Sequence, residues 1–146
     1  MRKLLTVLAT AATIGLLVPV LTSAAPSRKT VWTAALSSGQ EVPKQIVRDR
    51  AAHGLFKGTL SGNTLTWRLT FAKLTGPATM AHIHMAAKGK SGNIVVALCA
   101  PCTSGQKGTS TISADLLQAF KKHLLYVNVH TAKNPAGEIR GQLARG

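Results

Sequence analysis

Two histidine motifs, residues 81–84 and 126–131, carry the residue types in this 146-residue chain that are best suited to chemistry. Both motifs alternate apolar and polar residues, which is the pattern of a half-buried β-strand. Side chains two positions apart on a strand point to the same face, roughly 7 Å apart along the backbone. His82 and His84 therefore share one face, and His130 lies on the polar face of the second strand.

Three imidazoles on the polar faces of two strands can form a metal site if those strands are neighbours. Neutral imidazole binds copper or zinc with bonds of about 2.0–2.1 Å. A His-x-His spacing is a more specific signal than a lone histidine and a weaker one than HExxH, and His53 and His123 are weaker candidates. The alternative is that the three side chains form hydrogen bonds to neighbouring strands and loops.

Catalysis receives no comparable support. No serine stands in a nucleophile-elbow pattern, and no glycine-rich phosphate loop precedes a helix. The four acidic residues lie far apart in the sequence, so no carboxylate pair for glycoside hydrolysis is apparent. We therefore assign no catalytic residue, and the sequence gives no positive reason to expect an enzyme.

The first 24 residues have the composition of a signal peptide. Basic residues follow Met1, an almost wholly apolar run extends to Leu21, and small residues at 22–24 suit cleavage. We expect a signal peptide at 1–24, a short tail at 25–29 and one domain at 30–146, secreted or periplasmic and without a membrane span after cleavage. An uncleaved anchor is the alternative, since the apolar run is near the lower limit for a span.

The chain is strongly basic, with 18 Lys and Arg residues against 4 acidic ones and a net charge of +14. Loss of the signal peptide would leave +12. Such a charge would attract an unknown envelope or extracellular ligand such as an anionic polymer or surface, although a solvated basic surface is the favoured interpretation because the basic residues are scattered. Nucleic acid is not expected for an exported protein, and the sequence predicts no oligomeric state.

Cys99 and Cys102 are the only cysteines and form a CxxC pair. In an exported chain the expectation for such a pair is a local disulfide rather than a redox or zinc motif.

The remaining pattern predicts an all-β fold: a Greek-key antiparallel β-sandwich of seven to eight strands with one short helix. Strong alternation over residues 64–72 marks the clearest strand, with Trp67 as a core residue. The helix is predicted over 113–120 with Ser113 as N-cap. A turn at 132–137 joins the last two strands into a hairpin.

That hairpin gathers further polar residues near His130. Asn128 shares a face with His130, and Glu138 shares a face with Arg140 on the following strand. We interpret Glu138 and Arg140 as a structural salt bridge rather than as catalytic groups, with separate projection of the two side chains into solvent as the alternative.

Three blocks of the sequence resemble the CHRD domain family, the module named for chordin. They are residues 36–43, residues 81–84 with the glycine-containing loop that follows, and residues 126–143, in the order typical of the family. The resemblance implies an extracellular or envelope β-domain with no established activity. It also implies that a set of motif residues holds strands and loops together or faces a ligand: Gln40, Glu41, Asn128, Glu138 and Arg140.

The chain is more loosely similar to copper-zinc superoxide dismutase, which is also a Greek-key β-sandwich with a His-x-His on one strand. That likeness implies that His82, His84 and His130 are copper ligands and that Arg140 steers an anion. The zinc-loop histidines and a clear fourth copper ligand are missing from this chain.

Two functions follow from the sequence. The first, which the sequence favours, is a non-enzymatic binding or structural module of the envelope or extracellular space, with no required cofactor. The second is a metal-binding protein, copper before zinc, that uses His82, His84 and His130.

Overall fold

Nine β-strands and one α-helix make up most of the described part of the chain, residues 28–44 and 51–146, in this computed structural model. A 3-10 turn at Ser38–Gln40 follows the first strand. In chain order the elements are β1 Lys29–Ser37, β2 His53–Ser61, β3 Thr64–Ala72, β4 Ala78–Met85, β5 Asn93–Cys99, β6 Gln106–Thr111, α1 Ala114–Lys121, β7 Leu125–Thr131, β8 Ile139–Gln142 and β9 Ala144–Arg145.

The strands form one antiparallel sheet in the order β5-β4-β7-β8-β1-β2-β3-β6, with β9 paired to β1. The two end strands, β5 and β6, approach each other, so the sheet is nearly closed and sandwich-like. The predicted all-β class with one short helix is confirmed. The two-residue β9 is a further strand beyond the seven or eight expected.

Alternation determines which side chains form the core. On β3, Leu65, Trp67 and Leu69 are buried while Thr66 and Arg68 are exposed. Burial of one strand face removes apolar surface from water, which is the main favourable contribution to folding. The same rule applied to β4 leaves its histidine face available for polar contacts.

Helix α1 begins as predicted. The Ser113 side chain accepts a hydrogen bond from the Leu116 N–H at 3.3 Å, satisfying one of the unpaired donors of the first turn. Phe120 at the other end is buried against Trp32, with ring centroids 5.0 Å apart. The helix therefore covers the region of the sheet around β1.

The hairpin between β7 and β8 requires glycine at position 137. Gly137 has a φ of 130°, which L side chains rarely adopt. A Cβ at this position would also meet the Asn128 amide nitrogen at 2.5 Å and Glu41 Oε2 at 2.8 Å. The close approach sets β8 beside β7 with Arg140 opposite Asn128.

The expected disulfide between Cys99 and Cys102 is present at the end of β5. The predicted signal peptide, and residues 25–27 of the predicted tail, lie outside the described residues. Among the residues that are described, no helix is long and apolar enough to cross a bilayer.

Candidate metal centre

The pairing of β4 with β7 brings the two histidine motifs together. His82 lies opposite Asn128, His84 opposite Tyr126, and Met80 opposite His130. Cross-strand partners point to the same side of a sheet with Cβ atoms roughly 4.5–5.5 Å apart. The histidines that the sequence places on two polar faces thus lie on one shared face.

The three imidazoles converge. One ring nitrogen of each of His82, His84 and His130 lies within 4.8 Å of the other two. His82 Nδ1 and His130 Nε2 are 3.3 Å apart, which is hydrogen-bonding distance. An ion bound at 2.0–2.1 Å by three imidazoles needs nitrogens roughly 3.3–3.6 Å apart, so the side chains must contract by about 1 Å.

Backbone carbonyls fix the orientation of two of the rings. His84 Nδ1 donates to the Gly92 carbonyl at 3.0 Å, and His130 Nδ1 donates to the Pro135 carbonyl at 3.0 Å. Each bond leaves Nε2 as the lone-pair nitrogen. His84 Nε2 is buried and has no hydrogen-bond partner among the described residues. Carbonyl-oriented imidazoles of this kind are the usual supporting arrangement around metal-bound histidine.

The surroundings also keep the imidazoles neutral. Burial, followed by the neighbouring His130 and His84, lowers the pKa of His82 to about 4. Burial lowers the pKa of both His84 and His130, and the hydrogen bonds to Gly92 and Pro135 only partly counteract it. Since a neutral imidazole is the metal-binding form, the cluster needs little or no proton release to bind an ion near pH 7.

Tyr126 separates the cluster from a buried arginine. Its ring stacks on His84 with centroids 4.8 Å apart and planes inclined by 9°. The Arg140 guanidinium carbon lies 3.4 Å from the centroid of the same ring, and Arg140 Nη2 donates to the Lys90 carbonyl at 2.6 Å. Arg140 therefore contacts the Tyr126 ring rather than a histidine ring, although its positive charge, after burial, also lowers the pKa of His84.

Glu41 and Asn128 form a second buried polar pair beside the histidines. Asn128, opposite His82 on β7, donates to Glu41 Oε2 over a long 3.5 Å. Glu41 Oε1 and Asn128 Oδ1 are buried without partners among the described residues. Burial raises the pKa of Glu41 to about 7, although Arg140 and Asn128 lower it. The 3-10 turn after β1 places this carboxyl group.

The expected salt bridge between Glu138 and Arg140 is not formed. The Glu138 carboxylate instead accepts hydrogen bonds from the Thr75 backbone N–H at 2.6 Å and hydroxyl at 2.7 Å, from the Thr131 hydroxyl at 2.6 Å and from the Asn134 amide at 3.0 Å. Burial alone would raise the pKa of Glu138, but these donors bring it below its usual value. Glu138 precedes β8 and ties the β7–β8 turn to the β3–β4 loop and to the end of β7, away from Arg140.

The other predicted residues lie at the margin of the cluster or outside it. Gln40 donates to the Ala35 carbonyl at 2.9 Å and the Ser37 hydroxyl at 3.1 Å, which closes the 3-10 turn. His53 and His123 are exposed and lie outside the three-histidine cluster.

Tyr126, Gly92 and Pro135 have roles at the cluster that the sequence patterns do not reveal. Alternation on β7 does predict that Tyr126 lies on the same face as His130. It does not predict that the Tyr126 ring stacks on His84. Gly92 and Pro135 contribute backbone carbonyls, and such contacts depend on loop conformation that side-chain identity does not encode.

The comparisons with known proteins give one match. A family model described as the CHRD domain matches residues 32–143, which include all three histidines. No curated protein and no solved structure matches the chain.

Proposed function

The chain belongs to the CHRD domain family, and we propose that it is a copper-binding domain whose ligands are His82, His84 and His130. The observation that carries this proposal is the convergence of three ring nitrogens within 4.8 Å of one another. Hydrogen bonding to other strands and loops, the alternative for these residues, accounts for Nδ1 of all three histidines and for Nε2 of His130, but leaves Nε2 of His84 without a partner among the described residues.

Copper is favoured over zinc by the available ligands. Imidazole binds both metals, but a given site generally binds Cu²⁺ more tightly than Zn²⁺. Structural zinc sites use four protein ligands, often with thiolate, whereas the cluster supplies three imidazoles and both cysteines are in a disulfide. Met80 lies opposite His130 in the strand pairing, and a thioether is a ligand that favours Cu(I).

The test is titration of the domain with Cu(II), and with Cu(I) under a competing chelator, against the variant with His82→Ala and His84→Ala. We expect the variant to lose at least roughly a hundredfold in affinity, since two of three ligands are removed. Zn(II) titrated in parallel should bind more weakly to the unaltered protein.

The chain offers a matched control for this variant. His53→Ala with His123→Ala also removes two imidazoles, but both are exposed and outside the cluster. This control should bind copper as the unaltered protein does. Equal copper affinities for the cluster variant and the unaltered protein would reject the metal site and favour the second candidate, a binding or structural module without metal.

We also propose that the protein is exported after removal of residues 1–24. The disulfide between Cys99 and Cys102 supports an oxidising compartment, and the apolar, basic-headed N-terminus supports secretion. Intact mass of the protein recovered from the envelope or medium of its source should correspond to a chain that begins at residue 25. Recovery of the full-length chain from the cytoplasm would overturn this proposal.

A further inference from the structure

A cavity lies between β1, β2 and α1, with its own lining residues and apart from the histidine cluster. Its volume is about 380 Å³, within the range typical of small-molecule pockets. The apolar part of its wall consists of Trp32, Leu60, Leu117 and Phe120. No histidine of the metal cluster contributes to the wall, so this cavity is independent of the proposed copper site.

The polar part of the wall is basic. Arg28, Lys121 and Arg145 line the cavity and are exposed, and none of its described lining residues is acidic. Long basic side chains over apolar surface keep their charged ends in water while their stems cover the apolar groups. A ligand that fits both parts has an apolar body and an anionic end.

The wall also contains an unpaired donor. The Trp32 indole N–H is buried and has no hydrogen-bond acceptor among the described residues, in contrast to Trp67, whose indole N–H donates to Ser110 at 3.1 Å. Buried donors in folded proteins nearly always have a partner. Because Arg145 is the cross-strand partner of Trp32, a ligand carboxylate beside Arg145 would supply this acceptor after a small movement of the lining side chains.

We propose that this cavity binds a medium-chain fatty acid in its carboxylate form. The chain packs against Trp32, Leu117 and Phe120, and the carboxylate lies at the basic rim beside Lys121 and Arg145. The hydrophobic contribution comes from the buried chain, and the charges select the anionic headgroup over neutral or cationic ones.

The two tryptophans provide the test. Each gives one indole N–H signal in a ¹H–¹⁵N spectrum, and these are the only tryptophans of the chain. Decanoate, added below its micellar concentration to residues 25–146, should shift the Trp32 signal saturably and leave the Trp67 signal unmoved. Acetate should not shift either signal, and decanol should bind at least roughly fivefold more weakly than decanoate because it lacks the charge.

Charge-matched variants test the basic rim. Lys121→Gln with Arg145→Gln should weaken decanoate binding at least roughly fivefold. Lys57→Gln with Arg68→Gln removes the same charge from an exposed cross-strand pair outside the cavity, and should change the affinity by less than about twofold. The proposal would be overturned if both variants weakened decanoate binding equally, or if decanoate shifted both indole signals equally. It would also be overturned if the protein bound anionic vesicles in a parallel measurement but did not bind free decanoate.

Discussion

The carboxyl groups of Glu41 and Glu138 are both buried, 3% and 0% exposed, yet their surroundings shift their pKa values in opposite directions. Glu138 accepts four short hydrogen bonds from hydroxyl, amide and backbone donors. Glu41 has one long bond from Asn128 and an oxygen without a partner among the described residues. Desolvation dominates where donors are few, and hydrogen bonding dominates where they are many.

Replacement of each acid by glutamine should therefore give opposite results. The unfolded Glu41 carboxyl ionises near pH 4.5 and the folded one near pH 7, so the free energy of unfolding falls as pH rises through that range. Glu41→Gln removes this loss. The change in the free energy of unfolding caused by the substitution should be more favourable at about pH 8 than at about pH 4 by up to roughly 3 kcal/mol.

Glu138→Gln is the counterpart. The pKa of Glu138 is lowered on folding, so the ionised group stabilises the fold above its unfolded pKa and this contribution is lost as pH falls. The variant should be destabilised near neutral pH and less so in acid. Denaturant unfolding of metal-free protein across pH measures both variants, and parallel pH profiles for the two would contradict the opposite shifts.

Copper binding should persist into mild acid. Because the pKa of His82 is lowered to about 4, with His84 and His130 also lowered, protons compete weakly with the metal. Between about pH 7.5 and pH 5.5 the affinity should fall by much less than the roughly thousandfold loss expected for three ordinary imidazoles. Chelator competition at both pH values measures this, and a thousandfold loss would show that the rings titrate as in water.

At the scale of the elements, β4 and β7 can be predicted from alternation alone, and with them the face that each histidine takes. That β4 pairs directly with β7, across residues 86–124 that contain β5, β6 and α1, depends on non-local packing. Glu138 shows the limit of the periodicity argument. Alternation puts it on the face of Arg140, but the strand begins only at Ile139, so strand geometry does not govern its side chain.

Contact between β8 and β1 depends on Gly141. A Cβ there would overlap the backbone carbonyl oxygen of Ala35, which cannot move without disturbing β1. Gly141→Ala should lower the free energy of unfolding by roughly 3 kcal/mol or more and displace Arg140, which is its neighbour on β8. Gly39→Ala is the control, since nothing lies within 4 Å of the position that its new methyl group would take, and thermal unfolding of the two variants gives the comparison.

A Gly141→Ala protein as stable as the Gly39→Ala control would mean that β8 can shift away from β1 at low cost. The arrangement of Arg140 over Tyr126 would then be less rigid than the structure indicates.

At the scale of the whole molecule, exposed basic side chains occupy several separate regions. Lys57, Arg68 and Lys107 form a cross-strand row on β2, β3 and β6, Lys121 and Arg145 line the cavity beside α1, and others such as Lys88 and Lys133 lie in loops. A distributed positive field attracts anionic polymers without a defined site. Affinity of this kind depends on screening and is separate from the histidine cluster.

Binding to dextran sulfate should accordingly be lost as NaCl rises from about 0.05 M to about 0.5 M, because the Debye length shortens severalfold. The variant with His82→Ala and His84→Ala should bind the polymer as the unaltered protein does. Column retention at several salt concentrations measures both. Retention that survives the high salt, or that disappears with the histidines, would point to a specific site instead.

The histidine-bearing strands lie inside the sheet, β4 between β5 and β7, and β7 between β4 and β8. Pairing along both edges fixes the backbone of these strands, so that after an ion is bound a change in its charge would move side chains only. If copper alternates between its two oxidation states here, the reorganisation energy should be small. Electron exchange with a partner would then be limited by the distance and the driving force, rather than by movement of the protein.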